Sequence, residues 1–158
     1  MRKKIEKRRR SLLRESLSYI AASKRFIFAS FALFLVSALI AFAFPENFTF
    51  FDKLLKDIVG QIEGKGLFGL IWFIFQNNVS SAFFALILGM LFGIFPIFNA
   101  MTNGAVLGYV FSLVSVEQSG FKSILYLLPH GIFELPAVFI TLGLGIRLGF
   151  FAFAPKGK

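Results

Sequence analysis

The stretch FIFASFALFLVSALIAFAF, Phe26 to Phe44, decides the fold. It is nineteen residues long and carries no charge. A helix of about 20 residues crosses a hydrocarbon core of roughly 30 Å, so this is read as a first membrane span. A signal peptide is the competing reading. It is disfavoured because the apolar run is too long and a structured-looking basic segment precedes it. The rest of the chain agrees with lipid as its solvent. Of 158 residues, 57% are hydrophobic, 24 are Phe and only 16% are charged. A soluble domain of this size could not hide that much apolar surface.

Residues 67–116 contain no Asp, Glu, Lys or Arg. Such a stretch suits two spans, and the natural break is PIFNAMTNG, Pro96 to Gly104, which is rich in turn formers. This predicts a second span near Trp72–Phe95 and a third near Phe98–Val116. After the polar turn EQSGFK, Glu117 to Lys122, a fourth span is expected from Pro129 to about Phe151. Proline suits the first turn of a helix, and Pro136 should bend it. The expected fold is all-α: a polytopic membrane bundle of about four spans in one domain over residues 1–158.

Net charge is +9, and ten of the 17 Lys and Arg lie within residues 1–25. Basic residues beside a span mark the cytoplasmic side and attract anionic lipid. No nucleic-acid-binding signature accompanies the charge. The segment 45–66 has three Lys against four Asp and Glu, so it can face outward. An even number of spans then returns the C-terminus to the cytoplasm. Two amphipathic segments flank span one. Leu12, Leu13, Leu17 and Ile20 stripe the basic segment 1–25. Phe50, Phe51, Leu54, Leu55, Ile58 and Ile62 stripe the segment 45–66, with Thr49 and Asp52 placed like a helix cap. Both suit membrane surfaces; for the segment 45–66, packing against the ends of the spans is an equal alternative.

LILGMLFGIF (Leu86–Phe95) and LGLGIRLGFF (Leu142–Phe151) share the pattern L-x-L-G-x-x-x-G-x-F at an offset of 56 residues. This is either an internal repeat, as in transporter folds, or a chance match between low-complexity helices. The same offset carries Glu134 onto Asn78, which would set both at one depth. Three GxxxG pairs occur: Gly89 and Gly93, Gly104 and Gly108, Gly145 and Gly149. Small residues four apart let helices approach closely. Two pairs can serve packing inside the chain and leave one for a homodimer. Packing within one chain is the alternative.

The stretch LPHGIFELPA, Leu128 to Ala137, places the sole histidine, His130, one helical turn from Glu134. Polar groups in hydrocarbon are costly and usually face the protein interior. The candidate polar cluster is therefore Gln76, Asn77, Asn78, Asn99, Asn103, His130 and Glu134. Glu134 and His130 are expected to face the bundle interior in the outer third of the membrane, against Asn77 or Asn78. Arg147 lies thirteen residues beyond Glu134, about 20 Å along one helix, so it should snorkel to headgroups instead. The cluster reads as a helix-fixing clasp or as a proton-linked polar pocket. Two ligands at i,i+4 fall short of the three or four that zinc usually takes. No cofactor is expected, and no catalytic motif occurs. The chain is therefore not read as an enzyme.

QNNVSSAFFALILGMLFGIF (Gln76–Phe95), NGAVLGY (Asn103–Tyr109) and PHGIFELPA (Pro129–Ala137) resemble the stage II sporulation protein M family over about Gln76–Gly149. The resemblance implies an all-helical integral membrane protein. The family's named bacterial member works in engulfment during spore formation, in a complex with peptidoglycan-degrading proteins. By resemblance its polar signature maps onto Asn77, Asn78, Asn103, His130 and Glu134. The resulting expectation is a non-enzymatic scaffold or assembly component with membrane protein partners. The rival is a small transporter or channel for a polar solute, ion or proton.

Overall fold

The computed structural model describes residues 1–89, 93–117 and 120–152, and side chains for all of these but 2–5, 7, 116, 117 and 120–133. Six α-helices follow in order: α1 (Arg2–Ala22), α2 (Lys24–Ala43), α3 (Phe51–Ile62), α4 (Leu67–Gly89), α5 (Ile94–Glu117) and α6 (Gly120–Ala152). A short 3-10 turn spans Pro45–Phe48. Four helices, α2, α4, α5 and α6, are long and apolar enough to cross a membrane.

Span one is α2, within two residues of its expected ends. It stops where Pro45 forces Phe44 out of helical geometry, at φ −131° and ψ 59°. Its buried residues are Ser30, Phe34, Ser37 and Ala41, spaced as one helical stripe. The stripe packs most broadly on α5. A Cβ on Gly104 would collide with the Phe34 carbonyl, and one on Gly108 with the Ala38 carbonyl. Phe42 meets Phe111 at 5.4 Å between ring centres. Contacts climb both helices together, so α2 and α5 are parallel.

The same holds for α4 and α6. A Cβ on Gly89 would lie 2.7 Å from the Gly145 carbonyl oxygen, and one on Gly149 would strike the Gly93 nitrogen. Against α2, α6 runs the other way: Gly143 packs on Ile27, while Phe150 reaches Phe26 at 5.8 Å. The start of α2 and the end of α6 therefore share one end of the bundle. Ala85, Ala100 and Leu142, with Leu33, Phe95 and Val138, form a core to which all four spans contribute.

Three expectations are corrected here. The break between spans two and three is at Gly93, not at 96–104. Gly93 holds φ +68°, which favours glycine, and its N–H bonds the Gly89 carbonyl at 2.8 Å. Pro96 instead sits in the first turn of α5, where its missing N–H costs nothing. Span two accordingly occupies Leu67–Gly89 rather than 72–95. The fourth helix starts at Gly120, so Pro129 lies inside it. Third, all three GxxxG pairs are consumed within the chain, so the argument for a homodimer from a spare pair falls.

The amphipathic helix α3 docks by one edge only. Phe51 is buried with Ala41, Ala105 and Tyr109, while Phe50 and Leu54 stay exposed. Its cap differs from expectation too. Thr49 supplies only its backbone carbonyl, to the Asp52 N–H at 3.0 Å. The Asp52 carboxylate accepts a 2.6 Å bond from the Tyr109 hydroxyl of α5. On α1, Leu12, Leu13 and Leu17 are exposed.

Candidate functional site

Asn78 is the midpoint of α4. It projects towards α6, where its side-chain amide donates a hydrogen bond to the Glu134 carboxylate. These residues are 56 apart, as are Gly89 and Gly145, so the parallel helices keep one register from the site to the glycine contact. The carboxylate thus sits level with the middle of α4, not towards one end. The sliding of span two explains the difference: a helix starting at Leu67 puts the amides at its centre.

The pair forms the polar floor of a groove between α4 and α6. The groove has a volume of about 430 Å³, and its walls include Ile71, Phe75, Val79, Ala82, Val138 and Thr141. A second recess of about 50 Å³ lies deeper, where Asn78 and Glu134 meet Asn103, Phe34 and Leu107. Glu134 therefore touches both the open groove and the interior of the bundle. Such a carboxylate needs hydrogen-bond donors to offset lost hydration.

Asn99 and Asn103 extend the polar line. The Asn99 amide donates to Ser81 Oγ of α4 at 3.0 Å. The Asn103 amide donates to Asn99 Oδ1 at 2.9 Å, one turn along α5. Both asparagines sit inside α5 rather than in a turn: Asn99 links α5 to α4, and Asn103 bonds back to Asn99 within its own helix. Gln76 and Asn77 do not join them: both are exposed on α4, turned away from the bundle. The His130 side chain lies outside the described residues.

Arg147 is held by protein. Its guanidinium donates to Ser23 Oγ at 2.6 Å and to the Tyr19 carbonyl at 3.0 Å, and lies 4.1 Å from the Tyr19 ring centre. Ser23, fully buried, also donates to that carbonyl at 2.7 Å. This knot ties α6 to the junction of α1 and α2. Sequence reasoning missed it, along with the Ser30 hydroxyl bonding the Phe139 carbonyl at 3.0 Å. One signal was present: Ser23, Ser30 and Ser37 recur every seven residues, a small-residue seam of the kind that faces another helix.

Four parallel and antiparallel apolar helices, laced by amides around a half-buried acid, define a multi-pass membrane protein. The model of the family described as stage II sporulation protein M matches residues 28–154, and the chain belongs to that family. It is also similar to an uncharacterized protein of Methanocaldococcus jannaschii, at 29% identity over 146 residues. That match covers 85% of this chain and 64% of the archaeal one, so the chain spans under two thirds of that relative's length. No solved structure matches.

Proposed function

We propose that the protein is a non-enzymatic membrane scaffold or assembly component that receives a membrane-embedded segment of a partner in the α4–α6 groove. The observation that carries this reading is the groove itself. It lies between two spans at mid-helix, its walls are apolar, and its lining offers one carboxylate and one amide. Apolar walls with a few placed polar groups suit recognition of an apolar segment bearing one hydrogen-bonding side chain. Family membership is consistent with an assembly role. The basic segment 1–25 would rest on anionic lipid at the cytoplasmic face.

The rival reading is transport of a proton or small polar solute. It is favoured by Glu134 lining both the groove and the inner recess, an arrangement that could pass a proton between them. One pair of measurements separates the two. A photo-crosslinking residue at Ala137 in the groove should capture a membrane protein in cells, while one at Phe28 on α2 should not. Proteoliposomes of the pure protein should show no proton flux above that of empty vesicles. Flux that disappears in Glu134→Gln would reject the scaffold in favour of transport.

A further inference from the structure

The outer face of α4 poses a solvation problem. Only 6% of this span is buried, against 33% for α5 and 22% each for α2 and residues 134–152 of α6. At 3.6 residues per turn, Trp72, Gln76, Ser80, Phe83 and Ile87 fall within an arc of about 80°. All five are exposed. Asn77, also exposed, flanks the arc. The polar members cluster at the centre. Gln76, Asn77 and Ser80 lie within two residues of the α4 midpoint, about 3 Å along the axis. Neither carboxamide has a hydrogen-bond partner among the described residues. The surrounding surface is Trp72, Phe83 and Ile87, so the amides are set in an apolar field at mid-span. Lipid tails cannot satisfy them.

We infer that this face of α4 is covered by the same face of a second copy of the chain, in a two-fold dimer. Two copies inserted the same way are related by an axis along the membrane normal. Each residue near that axis then meets its own counterpart at its own depth. A carboxamide is both donor and acceptor, so Gln76, at the middle of the arc, finds a matching group by symmetry, whereas Asn77 lies about 100° round the helix and off the axis. A different partner would need a polar group at the same depth, which a second copy supplies automatically. Positions 72, 76, 79 and 83 also follow the four-three-four spacing of a helix-pair seam, where one central polar residue fixes register and copy number. The glycine pairs are occupied inside the monomer, so this seam needs none of them. It borders the α4–α6 groove, sharing Val79 with its wall, and does not depend on the proposal for that groove.

The chain has no cysteine, which makes the test direct. Ser80→Cys, in the full chain reconstituted in phosphatidylglycerol–phosphatidylcholine vesicles at low protein density, is expected to form a disulfide-linked dimer on mild oxidation. Val36→Cys, exposed on α2, is expected to stay monomeric. Adding Gln76→Leu to Ser80→Cys should lower the cross-linked fraction at least several-fold, while unmodified protein should weigh as a dimer in lipid nanodiscs. Cross-linking of Ser80→Cys no greater than that of Val36→Cys would overturn the inference. So would a monomer mass for the unmodified chain, whatever the double variant does.

Discussion

At the scale of single residues, the bond between Asn78 and Glu134 and the glycine contacts bear most directly on stability. Removing the amide with Asn78→Leu leaves the carboxylate beside an apolar side chain. We expect a loss of about 1–2 kcal/mol, in the range of interhelical hydrogen bonds in membranes, read from thermal or denaturant unfolding in detergent. Glu134→Gln keeps an acceptor and should stay within about 1 kcal/mol of the parent. A loss for Glu134→Gln matching that for Asn78→Leu would show that the negative charge itself holds the helices. Gly108→Ala should cost about 1–3 kcal/mol, because the new methyl meets the Ala38 carbonyl and a backbone cannot step aside cheaply. Gly60→Ala is the counter-case in the same assay. Nothing lies within 4 Å of its added methyl, and it sits inside α3. Helix propensity alone then predicts a gain of up to about 1 kcal/mol. Membrane cost made Asn78, Asn99, Asn103 and Glu134 visible as a polar group before any coordinates. The same rule could not separate Gln76 and Asn77 from Asn78. Each residue turns a helix by about 100°, and the direction in which the bundle lies is set by packing.

At the scale of elements, α2 was legible almost to the residue, because a charge-free run ends in a proline. The α4–α5 turn was not. Pro96, Asn99, Asn103 and Gly104 look like turn chemistry, yet each has a helical use here: first-turn proline, amides bridging to Ser81 and to the next turn, glycine beneath Phe34. The true turn rests on Gly93, whose positive φ leaves no mark distinguishing it from a packing glycine. The α1–α2 junction gives an element-level prediction. Beyond α2, α1 has little contact with the bundle, and Arg147 makes two hydrogen bonds and a ring contact there. Arg147→Leu should free the junction while leaving the glycine-packed core intact. Limited trypsin digestion should then cut faster after Lys24 and Arg25, with the unfolding midpoint of the spans moving little. Equal cutting rates in parent and variant would mean that Ser23 alone pins the junction.

At the scale of the whole molecule, the register between helices matters more than any one contact. The 56-residue echo seen in the sequence coincides with a physical alignment, since Asn78 meets Glu134 and Gly89 meets Gly145 on parallel helices. In the same way α2 and α5 are parallel. Alternation of direction along the chain brings the start of α2 and the end of α6 to one end of the bundle, where Phe26 meets Phe150 and Arg147 meets Tyr19. The segment that carries α3 departs from the opposite end, after Ala43. Ten of the 17 basic residues lie within residues 1–25, which enter the bundle on the first side, and Arg147 is at that end too. Short basic flanks are retained in the cytoplasm, so the bundle should insert with α1 inside and α3 outside. The cysteine-free chain allows this to be read from single substitutions in intact cells. Glu63→Cys should react with a membrane-impermeant maleimide added outside, and Ser11→Cys and Ala152→Cys should react only after permeabilisation. The last two must behave alike, since the helix order joins their ends. Labelling of one from outside and the other from inside would contradict the fold, whereas labelling of both from outside with Glu63→Cys protected would leave the fold standing and reverse its orientation.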